Sequence, residues 1–325
     1  MKLRFVLSML LYFLRKVTFE YKFLKKRDNL LVLVFHKVSD INSIFHSPMP
    51  IETYKKICLY LSKHFEFIHL SEVSNYYSLK SHNKPAAIIT FDDGLIDIKE
   101  NVFPFMVKHK LKFNVNVDTE ILETKLPQDF LKVYDILNNT NPDEYLDTKY
   151  MNVSISIKNR KPIDVETEFT AILSNLSSFE RRDFVQRMAD NLNMKGIYYG
   201  VLSIDDLVLM SKNELVEIGS HTHTHPDLTK ISKDQVKEEL VKSKQILTSI
   251  LHKEIETIAY PNGKCDTNID SLSIEVGYNY LLKSEDRYTE FNDYKGGCFY
   301  RVNQYHTSFE IGLAHTLGVL RLIKK

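Results

Sequence analysis

Apolar residues fall along this chain in short unbroken runs, separated by longer amphipathic stretches. Leu30 to Phe35 is continuous and ends at His36, and Ala86 to Phe91 follows Pro85 and ends in Asp92-Asp93-Gly94. Phe113 to Val117, Leu215 to Ile218, Thr257 to Tyr260, Tyr278 to Leu282 and Phe299 to Gln304 repeat the theme. Runs of this length bounded by turn residues predict strands buried on both faces. Between them lie helical spacings: Tyr54, Ile57, Cys58 and Leu61 on one side of residues 51–63, and Ile98, Val102, Phe105 and Met106 in a segment where Pro104 restarts or kinks the helix. A shorter strand-like stretch, Phe65 to Leu70, follows the first helix. Seven principal strands mostly separated by helices is the order of a parallel barrel or a doubly wound sheet.

The alternation breaks between about residue 119 and residue 201, where amphipathic helices surround one alternating run (Val153, Ile155, Ile157), and this reads as a mainly helical insertion. Capping-box spacings mark helix starts at Ser177 with Glu180, Ser203 with Asp206 and Ser232 with Gln235. The last of these opens the clearest helix of the chain, with Val236, Leu240, Leu247 and Ile250 inward.

With 325 residues, 43% of them hydrophobic, the chain can bury a sizeable core, and a net charge of +1 provides no nucleic-acid footprint. The charge is uneven, with eight basic side chains against two acidic ones in residues 1–30, a net +6, so that the rest carries −5. Within residues 1–28, Phe5 to Leu14 is apolar apart from Ser8, too short to span a bilayer and followed directly by Arg15 and Lys16 without a small-residue cleavage site. Two readings stay open: a helix lying on an anionic membrane surface, or one packed on the domain formed by residues 29–325. The three cysteines, Cys58, Cys265 and Cys298, lack any disulfide or zinc-finger spacing, which is compatible with a reducing cytoplasm, peripheral to the inner face of a membrane.

Candidate chemistry collects at strand ends, as it does in parallel α/β folds whose loops converge on one face. Asp92 and Asp93 end one strand, His221 and His225 of His-Thr-His-Thr-His follow another, and His36 and Asn262 close two more. Two histidines and one carboxylate form an open metal site, beside which a second carboxylate acts as base. Taken singly, Asp-Asp-Gly also reads as a helix cap and the histidine run as a solvated loop. A helical turn would pair His221 with His225, whereas a strand would also align His223.

The segments Thr90-Phe91-Asp92-Asp93-Gly94 and His221-Thr222-x-x-His225 resemble the first two motifs of the NodB-type polysaccharide deacetylases, carbohydrate esterase family 4. The likeness extends over Ile218-Gly219-Ser220, Pro226-Asp227-Leu228, the first strand with His36, and Ala259-Tyr260-Pro261-Asn262-Gly263. It implies a distorted (β/α) barrel of about seven parallel strands, Asp92 as catalytic base, a divalent metal, zinc above others, on Asp93, His221 and His225, and His223 as a spectator. It also implies an N-acetylated amino sugar or glycan as substrate. The pattern departs in three places. Ala259 stands where the family has an arginine that tethers the base. Asn262 replaces a tyrosine whose backbone N–H helps bind the oxyanion, a role any main chain fills. The chain has no Trp for the Asp-Trp motif. The last motif is matched loosely by Gln304-Tyr305-His306. Strand parity sets Tyr300, Val302, Gln304 and His306 on one face and Arg301 and Asn303 on the other, so only one of His306 and Arg301 points inward. His306 is the expected general acid, with His36 next; Arg301 could only restrain Asp92 or grip substrate. The expected activity is removal of an N-acetyl group from an amino sugar in a glycan or glycan precursor. A catalytically inactive glycan-binding or scaffold barrel in a membrane glycan-assembly complex is the alternative.

Overall fold

The computed structural model describes residues 30–78, 83–140, 145–148, 153–156, 159–191 and 198–316. The basic segment 1–28, with its two readings, lies outside the described residues. Ten strands occur in chain order: β1 Leu31–Phe35, β2 Glu66–Phe67, β3 Ala86–Phe91, β4 Phe113–Val117, β5 Tyr145–Thr148, β6 Val153–Ser156, β7 Val216–Ser220, β8 Thr257–Ala259, β9 Tyr280–Ser284 and β10 Cys298–Asn303. The main sheet runs β1-β10-β9-β8-β7-β4-β3-β2, all parallel, and an additional β1–β3 pairing (Leu31 opposite Ala87 through Phe35 opposite Phe91) closes it into a barrel. The two-residue β2 hangs on the start of β3. The closed barrel therefore has seven strands, the same seven that the continuous apolar runs predict. The stretch Phe65 to Leu70 supplies only two residues of strand before a 3-10 turn, Leu70–Glu72.

Side chains alternate across the barrel wall. Leu31, Leu33, Phe35, Ala87, Ile89, Phe91, Phe113, Val115 and Val117 face outward into the main core under the surrounding helices. Leu30, Val32, Ala86, Ile88, Ala259, Leu282 and Phe299 form a smaller cluster within the barrel. Helix Lys233–Leu251 covers one side, opened by the Ser232–Gln235 capping box and closed by His252 in a left-handed conformation (φ 51°). Pro104 sits in the first turn of helix Phe103–Lys108, directly after a π-turn at Ile98–Val102, so the chain restarts the helix there.

Between β4 and β7 lie helices Asp129–Asn139, Pro162–Leu173 and Ser178–Asn191 and the antiparallel pair β5–β6. These helices bury a second core, Phe130, Val133, Ile136, Val165, Phe169, Phe184 and Met188, which also takes in Phe45 from the loop after β1. That loop thereby joins the helical layer rather than the barrel.

Candidate active site

β3 delivers Thr90 into the barrel, and Asp92 follows on the same side at the carboxyl end of the strand. Its neighbour reaches the same centre only because the backbone reverses: Asp93 has φ 72° and Gly94 φ 64°. At Gly94 a Cβ would also meet Ile121 Cδ1 at 2.6 Å. The histidine loop after β7 turns in the same way, with Thr222 at φ 70° and His225 at φ 53°. These left-handed non-glycine residues store strain that the surrounding hydrogen bonds hold in place. His223 N and Thr224 N both donate to Glu239 Oε2 at 2.8 Å, and Arg181 Nη2 donates to Thr224 O at 2.9 Å.

The result is a buried donor cluster. One ligand atom each of Asp93, His221 and His225 lie within 4.8 Å of one another. Asp93 Oδ1 is 3.6 Å from His221 Nε2 and 3.9 Å from His225 Nε2, and accepts from Gln128 Nε2 at 2.6 Å. His221 Nδ1 donates to the Ala259 carbonyl at 2.7 Å, so its Nε2 carries the lone pair that faces the cluster. His223 turns away, with Nδ1 2.9 Å from Thr119 Oγ1. Burial raises the Asp93 carboxyl to about 6, with neighbouring His221 working the other way. Burial and adjacent His221 hold His225 well below its ordinary value, as a neutral imidazole. Two ring nitrogens and one buried carboxylate form a donor set that suits a zinc-class cation.

Asp92 has a different environment. Burial alone would raise its carboxyl, yet Arg301 holds it well below the usual carboxylate range. Arg301 Nη1 donates to Asp92 Oδ1 at 2.8 Å, and Asn116 Nδ2 donates to the same oxygen at 2.8 Å. Arg301 is 1% exposed and also reaches Thr90 Oγ1 (3.3 Å) and Ser284 Oγ (3.4 Å). Asp92 Oδ2 lies 4.0 Å from His221 Nε2, beside the donor cluster. Asp92 therefore has an arginine tether, supplied from β10 instead of from the β8 position held by Ala259.

His306 takes no part in this arrangement. The strand ends at Asn303, Arg301 and Asn303 take the inward face, and the His306 ring meets His315 (Nε2 to Nδ1 3.1 Å) outside the cavity. The expected general acid is thus not brought to the site. His36 and Asn262 are: both line a cavity of about 270 Å³ together with Asp92, Asp93, His221 and His225. Asn262 has φ 56°. Burial lowers the His36 pKa, and Asp92 is the neighbour that opposes the shift.

Two contributors, Gln128 and Asn116, went unread in the sequence. Gln128 precedes helix Asp129–Asn139, and nothing local marks it. Asn116 did leave a signal, since Asn114 and Asn116 alternate within an otherwise apolar strand and so share the barrel interior. Gly219 has no side chain because a Cβ there would overlap Asn116 Oδ1, the amide that steadies Asp92. Arg301 was visible, but its partner was not.

A family model described as polysaccharide deacetylase matches residues 183–281, the span that carries His221, His225 and Asn262. Among solved structures, the Streptococcus pyogenes deacetylase PplD in complex with acetate aligns at 16% identity over 89% of this chain and 98% of its own, with a TM-score of 0.57. The fold is the NodB-type (β/α) barrel of these solved deacetylases. IcaB from Ammonifex degensii superposes on it at 15% identity (89% of this chain, 97% of that chain, TM-score 0.57). The BpsB deacetylase domain from Bordetella bronchiseptica does so at 15% (86% and 96%, TM-score 0.51). No curated protein sequence matches the chain. At these identities the structural likeness concerns the fold of the deacetylase barrel. No helix of the described residues is long and apolar enough to cross a membrane.

Proposed function

We propose that this protein is a metal-dependent deacetylase that hydrolyses the N-acetyl group of an amino sugar in a glycan or glycan precursor. The observation that carries the reading is the convergence of Asp93, His221 and His225 within 4.8 Å beside an Asp92 carboxylate kept ionised by Arg301. Asp93, His221 Nε2 and His225 Nε2 would hold a zinc-class ion, which when bound polarises the acetyl carbonyl and acidifies water. Asp92 accepts the proton of the attacking water, and Arg301 and Asn116 keep its carboxylate aimed and charged. The Asn262 backbone N–H donates to the oxygen on which charge develops. His36 faces the same cavity and is the group placed to protonate the departing nitrogen; burial works against its imidazolium, and the Asp92 charge opposes that effect. The basic segment 1–28 supports contact with an anionic membrane surface, and the unpaired cysteines agree with a cytoplasmic setting.

Metal analysis of the purified protein, with acetate release from a panel of N-acetylated sugar nucleotides and lipid-linked glycans, tests this directly. A bound zinc-class ion near one per chain and acetate release abolished by Asp92→Asn is the expected result. Release that survives Asp92→Asn, or a protein that takes up no metal, would overturn it.

A further inference from the structure

The cavity has a second wall that the reaction does not use. His46, from the loop after β1, stacks on Tyr134 of helix Asp129–Asn139 with ring centroids 5.7 Å apart and planes 8° from parallel. Both rings are half-buried and line the cavity, and the His36 ring stands edge-on to His46 at 6.5 Å, joining this wall to the catalytic end. The loop is built to hold its ring there. Asn138 Oδ1 accepts from Ile44 N (2.9 Å) and Phe45 N (2.8 Å), Asn138 Nδ2 donates to Phe45 O (3.0 Å), and Glu166 Oε1 accepts from His46 N at 2.7 Å. His46 itself adopts φ 48°, in the left-handed region. Burial lowers the His46 pKa to about 3, so the ring stays neutral and aromatic across the physiological range. Polar groups edge the platform, among them Thr170, which bonds the Tyr134 hydroxyl at 2.9 Å, and Asn303.

Flat neutral rings edged by hydroxyl and amide groups match a pyranose, which has an apolar C–H face and a hydroxylated rim. We infer that His46 and Tyr134 form a sugar-stacking subsite that recognises the pyranose ring of the N-acetylhexosamine whose acetamido group reaches Asp92. The inference rests on the deacetylase reading above and assigns substrate choice to the helical layer between β4 and β7, not to the barrel.

The test compares full-length wild type, Tyr134→Leu and Tyr134→Phe on an N-acetylhexosamine oligosaccharide and on a sugar-free aryl acetate, with metal content and Tm recorded. Tyr134→Leu should raise KM for the sugar about three- to tenfold, the worth of one aromatic contact, and lower the sugar-to-ester ratio of kcat/KM by the same factor. Tyr134→Phe, which keeps the ring and loses the bond to Thr170, should restore both. Equal loss on the two substrates, or a Phe variant as impaired as Leu, would overturn the subsite. Saturation-transfer NMR of the same oligosaccharide with an Asp92→Asn background separates the two readings. Binding that depends on Tyr134 without acetate release from wild type upholds the subsite and removes the deacetylase assignment; acetate release indifferent to Tyr134 does the reverse.

Discussion

Replacing Arg301 by glutamine removes the cation beneath Asp92 while retaining most of the side-chain volume. The wild-type pair is almost wholly buried, at 1% and 2% side-chain exposure and 2.8 Å separation. Removing one partner of such a pair costs about 3–5 kcal/mol, because the remaining charge is stranded in a low-dielectric interior. The loss must depend on pH. In the wild type the depressed Asp92 pKa contributes stability that is present above the unfolded carboxylate value of about 4 and disappears as pH falls through the folded value. Without Arg301, burial dominates and lifts the folded pKa above the unfolded one, so Asp92 now stabilises at low pH and that contribution is lost as pH rises. Urea unfolding of Arg301→Gln against wild type should therefore show a difference near the full 3–5 kcal/mol at pH 8, which shrinks as pH falls through the raised Asp92 value of the variant and shrinks again below the unfolded value of about 4. The acid limb of kcat/KM should move upward by at least one pH unit, roughly the scale on which a lost neighbouring cation acts. A variant that loses less than about 1 kcal/mol at pH 8 and keeps the wild-type acid limb would refute the tether.

Asp93→Ala, His221→Ala and His225→Ala should each lose bound metal by elemental analysis, whereas His223→Ala, whose ring bonds Thr119, should retain it. His306→Gln should leave the basic limb of the pH–rate profile in place, since the ring pairs with His315, while His36→Gln should remove it. Asp97 is raised to about 7 by burial, opposed by its bond from Val38 N at 2.5 Å. Its folded value lies above the unfolded one, so the stability it contributes is present below about pH 4 and fades as pH climbs through 7. Asp97→Asn, which can still accept from Val38, should flatten the thermal-stability profile between pH 5 and 8; a profile as steep as wild type would exclude this group as its source.

Much of the barrel was legible because its determinants are local. A strand enclosed on both faces must be apolar throughout, so the seven barrel strands stand out as continuous runs, and helix starts are marked by Ser177, Ser203 and Ser232 bonding their own first turns. The residues at strand ends were legible for the same reason: topology sends every such loop to one rim, so Asp92, Asp93, His221, His225, His36 and Asn262 needed only their place in the chain to be gathered. Contacts across the barrel were decided by the tertiary structure alone. Whether Arg301 or His306 faced inward depended on where β10 stopped, and whether Arg301 met Asp92 depended on the closure of the barrel that sets β10 beside β1 and β1 beside β3, 209 residues apart in sequence for this pair. His46 and Tyr134 are further from local rules still, because a loop after β1 was recruited by helices 93 and 120 residues on, through Asn138 and Glu166. Short-range patterns record what a residue is buried by, whereas the partner of a buried charge or ring is chosen by packing between segments that sequence separation does not constrain.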